Sequence, residues 1–124
     1  MKNGERILVE HSAGIGDLII LTPVLREIKH KYPDSVITVA SSSKNSLACI
    51  SRVPYIDEVL VLDKSIKGLC RICKSLAKQD YVLFYPRHDV LLLFLSKLFK
   101  VKHRIAVYKH RHRKHKLATC LLPY

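Results

Sequence analysis

Apolar residues come in short runs along this chain, and the runs alternate between two periods. Arg6-Ile-Leu-Val-Glu10, Val36-Ile-Thr-Val-Ala40, Glu58-Val-Leu-Val-Leu62, Tyr81-Val-Leu-Phe-Tyr85 and Arg104-Ile-Ala-Val-Tyr108 are about five residues long and rich in β-branched or aromatic side chains. Each predicts a buried strand. Between the first two, Leu18, Leu21, Leu25, Ile28 and Tyr32 recur at helical spacing, with Arg26, Glu27, Lys29 and His30 mostly opposite. Pro33-Asp34 ends that helix. Pro23 lies inside it: either the helix kinks there, or a tighter helix starts at Pro23 with Thr22 as its cap. A short helix is predicted over Asn45 to Ser51, ahead of Pro54. A third runs to about Lys78, capped by Asp63 or Ser65. A strongly apolar fourth covers about Asp89 to Phe99.

Alternating strands and helices, with strands apolar throughout, predict an α/β fold: a Rossmann-like parallel sheet with helices on both faces. Residues 1–108 form this domain in the sequence reading, and 109–124 form a basic, His-rich tail. Ligands of such sheets gather beyond the C-terminal ends of the strands, so the loop after the first strand is the first candidate site.

The chain has 124 residues and a formal net charge of +12. The excess is local. Residues 90–124 hold nine Lys/Arg and no acid, whereas residues 1–89 hold thirteen Lys/Arg and ten acids. Such a segment attracts phosphate-rich partners: an anionic glycan, anionic lipid or nucleic acid. Nucleic acid is the least favoured, because aromatic residues are sparse at 7% and no base-reading module accompanies the charge. The run Lys109 to Lys116 reads first as a solvated loop or frayed end. The N-terminus lacks the apolar run of a signal peptide. Val90 to Leu95, continued by Ser96-Lys97-Leu98-Phe99, is shorter than the roughly 20 apolar residues that span a bilayer. A soluble cytoplasmic protein is the corresponding expectation, with the basic run as the place for any peripheral contact with an anionic membrane.

Cys70-x-x-Cys73 invites a metal or redox reading. Ile66, Leu69, Cys70, Cys73 and Leu76 can be drawn on one helical face, however, which makes the two cysteines small core residues. Cys49 and Cys120 supply no matching pair spacing, so neither a metal nor a cofactor is expected. The apolar fourth helix is hydrophobic nearly all round, which predicts burial, or else a surface covered by a further domain.

The informative segment is Ser12-Ala-Gly-Ile-Gly-Asp17 and the helix after it. Gly14 and Gly16 allow a sharp turn and close approach to a ligand, and the helix start points free N–H groups at the same place. Asp17 lies at that mouth, where the helix end favours the ionised carboxylate and a general base is within reach. The pattern is neither a dinucleotide fingerprint, since position 19 is Ile, nor a phosphate-binding P-loop, since no Gly-Lys-Ser/Thr follows. Local physics leaves Asp17 open as a helix cap or a catalytic carboxylate.

The string Gly-Ile-Gly-Asp-Leu-Ile-Ile-Leu-Thr-Pro-Val-Leu-Arg-Glu-Ile-Lys, followed by Tyr-Pro-Asp34, resembles the opening of glycosyltransferase family 9, the heptosyltransferases of lipopolysaccharide synthesis. Val53-Pro-Tyr-Ile-Asp-Glu-Val59 resembles that family's link into its third strand, and Lys102-His-Arg-Ile-Ala106 its entry to the fifth. The resemblance implies the acceptor-side N-terminal domain of a two-domain GT-B enzyme. It implies transfer of a sugar from a nucleotide sugar, such as ADP-heptose, to a lipopolysaccharide core acceptor. Asp17 takes the place of the base that activates the acceptor hydroxyl, with Gly14 and Gly16 shaping the acceptor loop. The donor-binding half has no counterpart in these 124 residues, so the chain is expected to be truncated before that domain and inactive alone. The segment closing the fourth strand, Pro86-Arg-His-Asp89, departs from the family pattern. The competing expectation is a stand-alone basic domain that binds an anionic glycan, lipid or nucleic acid.

Overall fold

A computed structural model describes residues 1–11, 14–85, 90–108 and 120–123. The elements run β1 (Arg6–His11), α1 (Ile15–Lys31), β2 (Val36–Ser41), α2 (Lys44–Ile50), β3 (Glu58–Val61), α3 (Ile66–Leu76), β4 (Tyr81–Tyr85), α4 (Val90–Leu98), β5 (His103–Tyr108) and β6 (Cys120–Pro123). The six strands form one parallel sheet in the order β3-β2-β1-β4-β5-β6. The order reverses at β1, which places the switch point of the sheet beside the loop leading into α1.

Successive strand residues point to opposite faces, and two cores follow from that alternation. Ile7 and Val9 of β1 pack with Ile37 and Val39 of β2 beneath Leu18, Leu21 and Leu25 of α1 and Leu47 and Ile50 of α2. On the other face Leu8, Ala40, Val82 and Phe84 pack beneath Ile72 and Leu76 of α3 and Leu92 and Leu93 of α4. Helices thus cover both faces, as the apolar strands require.

α1 runs unbroken through Pro23. A proline there removes the N–H that would bond the Ile19 carbonyl, and the Thr22 hydroxyl donates to that carbonyl instead, at 2.7 Å. Thr22 therefore repairs the helix rather than starting one. The third helix is capped by Ser65, whose hydroxyl accepts from the Gly68 N–H at 3.1 Å, while Asp63 accepts from the Ser65 backbone and hydroxyl.

The sequence reading of α3 needs correction. Its buried face is Gly68, Ile72 and Leu76, with Leu69 at the edge; Cys70 is exposed, Cys73 half-buried and Ile66 83% exposed. Gly68 sets this rotation. A Cβ on it would lie 2.2 Å from the Asp63 carbonyl oxygen, so only glycine lets the helix roll this edge against the strand end. Four-residue periodicity does not reveal so close an approach, and the cysteines turn outward as a result.

Two further differences concern the C-terminal part. Only Leu92, Leu93 and Ser96 of α4 are buried, so this helix is not enclosed all round. β6 pairs in register with β5, Ile105 opposite Cys120, which carries the sheet beyond residue 108. Cys120–Pro123 is four residues long and ends in proline, the pattern of an edge strand, and gives no periodic signal to read. Lys109 to Lys116 and Pro86 to Asp89, both singled out in the sequence, lie outside the described residues.

The strand N-termini are tied together by charged groups. Asp57 accepts from the Ile37 N–H at 2.8 Å and from Lys29 Nζ, which also donates to the Ser35 carbonyl. Arg6 pairs with Glu58 at 2.9 Å, and the same carboxyl group accepts from Thr38. Asp80 accepts from the Arg6 N–H. The second stretch resembling family 9, residues 53–59, thus locks α1, β2 and β3 together, with Ile56 in the core.

Candidate functional site

The opposite edge of the sheet, at the strand C-termini, is built differently. β1 ends in Glu10 and His11, and both side chains are fully buried. By strand alternation they face opposite ways.

His11 shares a face with Ile7 and Val9, on the side covered by α1. Neither of its ring nitrogens has a hydrogen-bond partner among the described residues. Burial pulls its pKa below the ordinary histidine value, while the Asp17 carboxylate and, less strongly, the residue's own backbone act in the raising direction. The imidazole is thereby favoured in its neutral form, with one N–H and one acceptor nitrogen. A buried polar group without a partner costs about 1–3 kcal/mol.

Asp17 is the third residue of α1. The N-cap is Gly14, with φ −72° and ψ 170°, and no side chain caps the helix there. The structure therefore separates the two readings of Asp17: it is not the cap. Its side chain is half-buried and makes no hydrogen bond or ion pair to a described residue. A carboxylate in the first turn is favoured by the helix dipole while its oxygens stay available to a ligand.

Gly14 and Gly16 play a different part from the one their conformational freedom suggests. Neither has a positive φ; among the described glycines only Gly4 does. A Cβ on either would meet nothing within 4 Å. Both are exposed, so they leave bare backbone and open space in front of the α1 N-terminus rather than enabling a turn. Gly14, Gly16, Asp17 and His11 converge at the mouth between β1 and α1, beside the sheet's switch point. The first three are the candidates that the sequence singles out. The signal it passed over was a histidine closing an otherwise apolar strand.

Glu10 faces the other way. It lines a cavity of about 60 Å³ together with Asp63, Lys64, Leu62, Leu69 and Leu92, between α3 and α4. A glutamate within a buried strand is visible in the sequence as the one acid among Ile7, Leu8 and Val9. Among the described residues no cluster of three or more His, Cys, Asp or Glu is arranged to hold a metal ion. No helix among them is long and apolar enough to cross a membrane.

No protein-family model matches the sequence, and no curated protein matches it. The fold itself has a counterpart. The crystal structure of a glycosyl transferase family 9 protein from Veillonella parvula DSM 2008 superposes with a TM-score of 0.74 at 23% sequence identity, over 98% of this chain. This chain spans 37% of that protein's length. The α/β, Rossmann-like architecture read from the sequence is thus the architecture of this chain, and it is similar to a part of a family 9 glycosyltransferase.

Proposed function

We propose that this chain is the acceptor-side half of a glycosyltransferase in which Asp17 is the general base. The observation that carries the reading is the Asp17 carboxylate, half-buried at the C-terminal edge of β1 and free of hydrogen bonds to described residues, on a fold shared with a family 9 structure. Attack by a sugar hydroxyl on an anomeric carbon requires removal of the hydroxyl proton as the bond forms. A carboxylate whose lone pairs are not committed to the protein accepts that proton. The open backbone at Gly14 and Gly16 lets the acceptor sugar approach that carboxylate closely.

The donor in this proposal is a nucleotide sugar such as ADP-heptose, and the acceptor is the lipopolysaccharide core. The sequence resemblance at residues 14–34 supports both assignments. A partner domain holds the donor, because rate enhancement depends on binding the two reactants in line. The 124 residues therefore have no turnover on their own.

Nuclear magnetic resonance titration of the chain tests the reading. A core oligosaccharide should shift the resonances of Gly14, Gly16 and Asp17, and ADP-heptose should leave them unmoved. The reverse pattern would overturn the acceptor-side assignment. In an active enzyme made by joining this chain to a donor-binding half, Asp17→Asn should lower kcat by about 10²–10⁴-fold. Turnover within a factor of about three would remove Asp17 from the chemistry.

A further inference from the structure

A core position would take Cys70 and Cys73 out of reach of a metal ion, but the roll of α3 brings them to the surface. With Gly68 set against Asp63, Ile72 and Leu76 meet the sheet, Cys70 is exposed and Cys73 is half-buried. Both thiols lie inside the helix Ile66–Leu76, and neither is in a disulfide. Side chains three apart on a helix are neighbours, with Cβ atoms about 5–6 Å apart. Cys49 provides the contrast: it is exposed on α2, with no second cysteine on that helix. A single thiol holds a soft ion by one bond. Two thiols one turn apart hold it by two, and closing the second bond within the molecule multiplies affinity by about 10²–10⁴.

The number of donors decides which ion fits. Zinc takes four ligands in a tetrahedron. Among the described residues no group of three or more His, Cys, Asp or Glu is placed to supply them. Two thiolates by themselves satisfy a soft, filled-shell monovalent cation that accepts linear sulfur ligation, and thiolate softness selects Cu(I). The charges agree. Two thiolates and one monovalent cation leave a net negative charge on the complex. Lys67 and Lys74 stand exposed on either side of Cys70, and α3 contains no acid. A cationic surround of this kind favours the complex over the bare thiols.

We infer that Cys70 and Cys73 form a two-thiolate site for Cu(I) on the outer side of α3. As each copper–sulfur bond forms, the thiol proton leaves to solvent, so one ion displaces two protons. The copper stays Cu(I), and no electron is transferred. α3 lies on the sheet face opposite α1. The site uses none of Gly14, Gly16, Asp17 or His11, and it stands or falls apart from the transferase reading.

Anaerobic titration of the full, reduced 124-residue chain with Cu(I) tests it. One ion per chain should bind, with the ultraviolet charge-transfer absorption of copper on sulfur and no change in oligomeric state. The histidines of the run Lys109 to Lys116 are nitrogen donors and give no such absorption. Competition with the chelator bicinchoninate reads the affinity. Cys70→Ser and Cys73→Ser should each weaken it by about 10²–10⁴-fold, and Cys49→Ser and Cys120→Ser should leave it unchanged. Each substitution changes one atom, so the urea midpoint of the metal-free variants should match that of the parent chain. Three results would overturn the inference: an affinity unchanged in both Cys70→Ser and Cys73→Ser, an ion lost with Cys49→Ser, or half an ion per chain accompanied by dimer formation, which describes a four-thiolate site shared between copies.

Discussion

The Asp57–Glu58–Asp80 group at one end of the sheet and the His11–Asp17 pair at the other use their polar side chains in opposite ways. At the strand N-termini, Asp57, Glu58 and Asp80 each hold a backbone N–H, a hydroxyl or a cation: Ile37 and Lys29, Thr38 and Arg6, and Arg6 and Lys102 respectively. At the C-termini, the His11 ring and the Asp17 carboxylate have no hydrogen-bond partner among the described residues, and the space above Gly14 and Gly16 is open. In one place polar groups are spent on joining elements. In the other they are kept back. Groups fully bonded inside the fold make a clamp; groups without internal partners stay available to a ligand.

The comparison breaks most sharply at Asp57. Asp57→Ala leaves the Ile37 N–H and Lys29 without their shared acceptor, and should cost about 2–3 kcal/mol of stability. Urea denaturation gives the value, and a loss below about 0.5 kcal/mol would show that the N-terminal end is not a clamp. The opposite edge should answer with the opposite sign. His11→Leu exchanges a buried, unpartnered ring for an apolar side chain, and should raise stability by about 1 kcal/mol while weakening any ligand bound at the α1 mouth. Destabilisation by the same amount would mean that the ring is part of the core packing and nothing more.

Much of this was legible in the sequence, for reasons that also mark where legibility ends. The first five strands were readable because a sheet covered on both faces demands continuous apolar runs. α1 was readable from Leu18, Leu21 and Leu25, and Asp17 from its place between strand and helix. The rotation of α3 was not, because it follows from the Gly68 backbone meeting Asp63, a contact with no periodic signature. For α4 the sequence left burial and an exposed face both open, and only setting the helix against the sheet puts Phe94 and Leu98 on the exposed side. β6 was missed because four residues ending in proline carry no pattern of their own. His11 was missed for a related reason. Sequence shows a histidine at a strand end but not whether its nitrogens find partners, and that distinction is what makes it a candidate.

The finest difference between the two ends lies in their response to acid. Burial lowers the His11 pKa from 6.5, so the folded chain takes up this proton less readily than the unfolded chain does. Below about pH 6.5 the unfolded state then binds more protons at this position, and stability falls as pH falls. The loss continues down to the folded-state pKa and levels off beneath it. Glu58, held low by its hydrogen bond from Arg6, has its own window at more acidic pH: its contribution is present above the unfolded carboxylate range and fades as pH falls through the folded pKa. Denaturation midpoints of the chain and of His11→Leu, measured between pH 8 and pH 5, separate the two: the decline that starts near pH 6.5 should be weaker in the variant. Asp17→Asn sharpens the test. Removing the nearby negative charge removes the larger of the influences that raise the His11 pKa, so the acid-driven loss should extend to lower pH. A titration of the His11 ring resonance that does not move in Asp17→Asn would mean that the two groups are not electrostatically coupled, and the α1 mouth would then be two separate features rather than one site.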